Sequence, residues 1–290
     1  MIIGYRLHHT FNKEVKVTIN FLKTLLVQCI FFKIKKMNEN LHDFLEKRYL
    51  QYNSVAFIEN DPISIPHRFS RLQDIEIMAF WTAMLAWGQR KTIINKANEL
   101  VTLMDGAPYD FIVNHQEIDR KRFLDFKHRT FQATDTLYFL DVLQAFYKEN
   151  ASLETAFTRS MTIYDSTTEK GLVGFHDFFF SRPDFPERTR KHIATPARNS
   201  TCKRLNMFLR WMVRSDDKGV DFGLWKTILP SQLLIPLDVH VERHARQLGL
   251  LQRPQTDWKA VLELTENLRQ FDAEDPVKYD FVLFGLGAIG

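Results

Sequence analysis

Apolar residues return every three or four positions along most of this 290-residue chain, the period of α-helices that each bury one face. QDIEIMAFWTAMLAWG (73–88) is apolar almost all round, which predicts a helix buried on every side with Gly88 as its stop. A second helix is predicted through TIINKANELVTLM, ending at Asp105-Gly106. The period continues through ATDTLYFLDVLQAFYKEN, SLETAFTRSMTIY, TCKRLNMFLRWMVR, DVHVERHARQLGL, DWKAVLELTENLRQF and DPVKYDFVLFGLG. Alternation suited to a strand is confined to short possibilities near 122–132. The least regular stretch, SRPDFPERTRKHIATPARNST (181–201), holds three prolines and six basic side chains, including His192. No internal repeat is present, and the predicted class is all-α.

Composition changes this picture only at the N-terminal end. With 45% apolar and 26% charged residues, the chain can bury one sizeable core or two small ones. The net charge of +4 points toward polyanions, but residues 1–36 carry seven of the 39 basic side chains and only one of the 35 acidic ones. Without them, 32 basic residues face 34 acidic, so any nucleic-acid surface must be a local patch. Within TLLVQCIFFKIKK the apolar run is about nine residues, against the roughly 20 of a membrane-spanning helix. No small-x-small cleavage pattern follows it. Met37 then opens NENLHDFLEKRYLQYN, an amphipathic pattern with a fresh start. Residues 1–36 are therefore expected to be an upstream extension, 37–69 an N-terminal helix and connection, and 70–290 the main domain of a cytoplasmic, non-membrane protein. The two cysteines, Cys29 and Cys202, exclude a disulfide scaffold, a four-cysteine zinc site and a cysteine-ligated iron–sulfur cluster. Cys202 is expected to be a small buried apolar residue.

Two helix starts carry candidate chemistry. In NSTCKRLNMFLRWMVR, Ser200 or Thr201 suits an N-cap, and Leu205, Phe208, Leu209 and Met212 form the apolar stripe. Lys203 then falls in the first turn, where the helix dipole and the nearby Arg198 and Arg204 penalise an ammonium. It is either a nucleophile tuned toward its neutral amine or a lysine turned to solvent. In LLIPLDVHVERHARQLGL, Pro236 fixes the chain's entry and Asp238 takes the N-cap, where backbone N–H groups and the dipole favour a carboxylate.

Together these segments resemble the helix-hairpin-helix DNA glycosylase superfamily, which includes endonuclease III and the archaeal 8-oxoguanine glycosylases. TCKRLNMFLRWMVR is similar to its lysine-bearing helix, and LLIPLDVHVERHARQLGL to its aspartate-opened helix ending in R-L-G-L. Asn95-Lys96-Ala97 match its early N-K-A. The likeness covers roughly residues 70–290. The chain also resembles a bacterial family marked by CKRLNMFLRWMVR and DPVKYDFVLFGLG, which implies no activity. PARNST lacks the hairpin's G-x-G, and Gly88 stands where the superfamily inserts a glutamine, with Gln89 one residue on. The separation of 35 residues between Lys203 and Asp238 is nearest to the archaeal 8-oxoguanine branch.

The superfamily resemblance implies an all-α, multi-helix fold of two helical subdomains with a cleft between them. It implies double-stranded DNA with a damaged base as partner; no metal or cofactor is expected, and no cluster cysteines follow Asp238, a departure from the superfamily. Lys203 would attack the sugar of a flipped nucleotide and Asp238 would assist. Gln89, Arg90, Arg198, Ser200, Thr201, Arg204 and His240 would touch the DNA, and Trp87, Trp211 or Trp225 would stack on the extruded base or simply fill the core.

Two other readings stand beside it. Asp238, His240, Glu242 and His244 have the proximity of metal ligands and suit a metal-dependent hydrolase, although H-V-E-R-H turns Glu242 toward an ion pair with Arg246 instead. His176 and Asp177, in FHD, resemble part of a metal phosphohydrolase site, but its other ligands are not recognisable. Arg182, Arg188, Arg190, Lys191, Arg198, Lys203 and Arg204 would serve a non-catalytic nucleic-acid module through phosphate contacts, or form a solvated surface.

Overall fold

The protein is described by a computed structural model covering residues 39–288; the predicted extension 1–36 and Cys29 lie outside the described residues. Residues up to Arg48 form one unit, of which only the helix from 39 onward is described. Residues from Tyr49 onward form the other unit, which carries everything below; the helix over 39–52 is α1, and the short α2 (Val55–Glu59) follows it.

Helix α3 (Leu72–Leu85) is the axis of that unit, and every residue from Ile75 to Leu85 is buried, as its all-round apolar pattern predicts. Phe80 meets Phe139, Phe175, Phe179 and Phe208 with ring centroids 5.6–6.0 Å apart, so three other helices close on one ring. Those helices are α6 (Ala133–Tyr147), α8 (Glu169–Phe179) and α9 (Lys203–Val213). Helix α4 (Arg90–Leu103) packs beside α3, and α5 (Pro108–Asn114) packs against both α3 and α6. Toward the C-terminus, α10 (Val239–Gln247) lies against α12 (Asp280–Ala288), and α11 (Trp258–Arg269) packs on the turn Pro276–Tyr279.

The described residues are all-α: no strand occurs, and the region 122–132 holds a 3-10 turn, Glu117–Phe123, and a single bridge between His128 and Phe131. No helix among them is long and apolar enough to cross a membrane. Three boundaries differ from expectation. Helix α3 stops at Ala86, and Gly88 instead takes a φ of +103° with its missing Cβ filled by the Arg129 side chain. The predicted helix over 152–164 shrinks to α7 (Glu154–Thr158). Helix α8 is absent from the helical series read in the sequence, and it carries Gly171 and Gly174 despite the low helix propensity of glycine. They are packing positions, where a Cβ would strike Met161 and Ser160. The FGLG near the C-terminus is likewise helical: a Cβ on Gly287 would meet His240 Nδ1 at 2.9 Å, so this glycine lets α12 close on α10.

A buried ionic network fixes α9 against α12. Arg210 Nη1 pairs with Asp280, its Nε donates to Asp221 at 3.2 Å, and Arg214 reaches Asp275, Asp216 and Asp221. Guanidinium forks suit this arrangement because one cation can serve several carboxylates.

A lysine–aspartate pair at an internal cavity

The starts of helices α9 and α10 both line one cavity of about 890 Å³. Lys203 is the first residue of α9 and Asp238 the N-cap of α10; both line the cavity, with Nζ 3.5 Å from Oδ2. The lysine side chain is 30% exposed and the aspartate 14%, so the pair is reachable without being solvated on all sides.

Asp238 caps as its sequence position predicts: Oδ1 accepts the N–H groups of His240 and Val241, both at 2.9 Å. Oδ2 is thereby left to face Lys203. The start of α9 departs from expectation. Neither Ser200 nor Thr201 caps it; the N-cap is Cys202 in the left-handed conformation, φ +50°, with no side-chain cap. Ser200 Oγ instead accepts the N–H of Cys202 at 3.3 Å, holding the turn before the helix. Asn199 is also left-handed, φ +57°, and its carbonyl accepts the N–H of Trp258. Asparagine tolerates that conformation better than most residues, which lets PARNST turn into α9 without glycine. Cys202 is buried, and burial pushes its thiol up to about 12. The sequence reading saw only cations near Lys203; the fold sets a carboxylate beside it.

The remaining predicted site residues divide. Arg90, Ser200, Thr201, Arg204, His240, Trp87 and Trp211 line the cavity; Gln89, Arg198 and Trp225 do not. Gln89 is exposed at the N-cap of α4, and Arg198 is exposed on the turn Pro196–Arg198. Arg204 is turned inward: it donates to the Met84 and Lys191 carbonyls, lies over the Trp87 ring at 4.8 Å, and burial lowers it to about 10, still a cation at neutral pH. Trp225 is corrected from base-stacking to core, 1% exposed with its Nε1 donating to Glu76 at 2.6 Å. Trp211 is also 1% exposed, so its ring presents no open face. Trp87 is half-buried, with His192 stacked at 5.8 Å.

The basic segment 182–204 is partly consumed as well. Arg188 binds Asp135 at 2.5 Å and Arg190 binds Glu187 at 3.2 Å, which leaves Lys191 and Arg198 as its exposed cations near the site. Glu242 and Arg246 form the expected i, i+4 pair at 2.9 Å, and His244 bonds Gln247. Among the described residues no group of three or more His, Cys, Asp or Glu is arranged to hold a metal ion.

Among the lining residues not singled out from the sequence are Asp61, Asp280, Phe57 and Phe284. The Asp280 carboxyl is pushed up to about 6, because burial outweighs the attraction of Arg210, while Asp238 and Asp221 push the same way as burial. An unfolded aspartate titrates near 3.8, so between these values the folded chain holds a proton that the unfolded chain has lost. The contribution of Asp280 to stability is therefore predicted to fall as pH rises through that window, and Asp280→Asn to remove that contribution from the difference between the two pH values. Urea midpoints of both proteins at about pH 4.5 and about pH 7 read the difference; an unchanged slope would remove Asp280 as its source.

Residues 61–289 match the family described as "Protein of unknown function (DUF2400)", and the chain belongs to that family. No curated protein and no solved structure matches the chain.

Proposed function

We propose that the protein is a DNA base-excision glycosylase with lyase activity, acting through Lys203 on a nucleotide turned out of the duplex. The observation that carries this reading is the 3.5 Å approach of Lys203 Nζ to Asp238 Oδ2 on the wall of a cavity of about 890 Å³. An amine beside a carboxylate supplies a nucleophile together with a proton acceptor. The neutral amine attacks the sugar C1′, and the glycosidic bond breaks with its electron pair leaving on the base, which takes up a proton. Asp238 accepts the proton lost from nitrogen and balances the positive charge growing on the sugar. Opening of the C1′–O4′ bond, with O4′ taking the proton held by Asp238, gives an iminium; loss of a C2′ proton to the freed carboxylate then lets β-elimination expel the 3′ phosphate. The first-turn N–H groups of α9, free of any side-chain cap, together with Lys191 and Arg198, would meet phosphates.

Borohydride reduction of that iminium tests the reading, since it fixes enzyme to DNA covalently. Duplexes carrying an abasic site or single damaged bases are expected to be trapped; salt-dependent duplex binding with no trapping would support the non-catalytic module instead. Asp238→Asn is predicted to lower base release by roughly 100-fold or more. Asparagine keeps an oxygen for the α10 cap, so the melting temperature is expected to shift by only a few degrees. Unchanged base release would take Asp238 out of the mechanism.

A further inference from the structure

Helix α10 carries two histidines one turn apart, and their rings end in the same gap. His240 Nδ1 and His244 Nε2 are both buried and have no hydrogen-bond partner. Gly287 on α12 makes the gap: the point where a Cβ would stand is 2.9 Å from His240 Nδ1 and 3.2 Å from His244 Nε2. Positions i and i+4 share a helix face, which is why two imidazoles can converge there. A side chain at 287 would fill the space that the glycine leaves beside both nitrogens.

The hydrogen bonding of His244 fixes the form of its ring. Nδ1 lies 2.9 Å from Gln247 Oε1, and an amide oxygen only accepts, so Nδ1 holds the proton and Nε2 presents a lone pair to the gap. A proton on His240 Nδ1 would have that lone pair to bond, yet the two nitrogens make no hydrogen bond. Without the proton, two lone pairs face one gap away from water. In both cases buried nitrogens lack a partner, which is unfavourable, and a cation accepting both lone pairs relieves it.

Imidazole nitrogens suit zinc, nickel or copper, whereas magnesium and calcium take oxygen ligands. The donation from His244 Nδ1–H to Gln247 is the kind of support that orients a metal-bound ring. Nitrogen–zinc distances of about 2.0–2.1 Å call for roughly 3–4 Å between the two nitrogens. With both already against one Cβ position, a ring rotation reaches that spacing. Glu242 is held in its pair with Arg246, and among the described residues no third His, Cys, Asp or Glu joins the histidines. Water therefore completes the coordination, and His240 borders the cavity that admits it.

We infer that His240 and His244 form a binding site for one divalent transition-metal ion of the zinc, nickel or copper kind, with its remaining positions open to water. The site makes no use of the Lys203 amine, so it stands or falls independently of the glycosylase reading. An ion there sits on α10, the helix that Asp238 caps, and binding to the folded chain raises its stability.

The test uses the full-length protein, stripped with a chelator and titrated calorimetrically with nickel(II) or zinc(II), with magnesium as the oxygen-preferring control. Wild type is expected to bind nickel and zinc but not magnesium, and to melt at a higher temperature with either bound. The double variant His240→Gln/His244→Gln is expected to bind one ion fewer per chain. No nickel or zinc binding by wild type, or the same number of ions on the double variant, overturns the inference. Should the double variant fail to fold, His244→Gln alone decides, because its half-buried ring bonds only Gln247. Affinity for one ion lowered roughly tenfold or more supports the site, and unchanged affinity for every ion overturns it.

Discussion

Lys203→Gln is expected to abolish borohydride-trapped adducts with abasic and lesion-bearing duplexes while leaving the fold intact. Glutamine preserves most of the side chain's length but has no nucleophilic amine, so no iminium can form for hydride to reduce. The structural cost is small. The side chain is 30% exposed and its single ion pair, to Asp238, is of the partly solvated kind worth about 0–1 kcal/mol. Asp238 retains its two cap hydrogen bonds, so α10 keeps its start. Lys203→Arg sharpens the experiment, because it keeps the cation and discards the amine; it should bind duplex and yield no adduct. Adduct formation undiminished in either variant would remove Lys203 from the chemistry, and the proposed function would lose its support.

Period and caps made much of this molecule legible before any coordinates. The apolar run 73–88 led to a helix buried on all sides because no polar face was available to turn outward, and Asp238 led to an N-cap because an acid after a proline and before a helical period has few other local uses. The errors share one cause: local patterns do not contain the partner. Glycines at 171 and 174 signal breaks until Met161 and Ser160 are seen to need the space. Trp225 reads as either a stacking platform or core until Glu76, 149 positions away, is found accepting its N–H. Asp61 and Asp280 are separated by most of the chain and sit beside Pro62 and in DPVKYDF, where acids serve equally well as turn residues; only tertiary burial distinguishes them. Lys203 and Asp238 were paired through the order of helix starts, and their shared cavity is a property of how α9 and α10 are set around it.

Glu76 presents the opposite case, a carboxylate whose partners are complete. It lies at 0% exposure on α3, and its two oxygens serve four donors: Oε1 accepts from Ser152 Oγ at 2.5 Å and Trp225 Nε1 at 2.6 Å, Oε2 from the Tyr147 hydroxyl at 2.9 Å and the Leu153 N–H at 3.1 Å. Burial raises its pKa, with all four hydrogen bonds pulling the other way. Glu76→Ala strands several of these donors in the core and leaves a cavity, and it is predicted to cost on the order of 4 kcal/mol. For a chain of this size that lowers the melting temperature by roughly 8–16 °C. Glu76→Gln should fall between the two proteins. One amide oxygen still serves two donors, but the amide nitrogen then confronts the other pair; the Tyr147 hydroxyl can rotate to accept, whereas the Leu153 N–H cannot. Because α3 packs directly on α9, loosening this network also loosens the seat of Lys203. Calorimetric melting of the three proteins gives the order wild type, glutamine, alanine if the carboxylate holds these segments together; an alanine variant melting within about 2 °C of wild type would mean that they are held by packing alone.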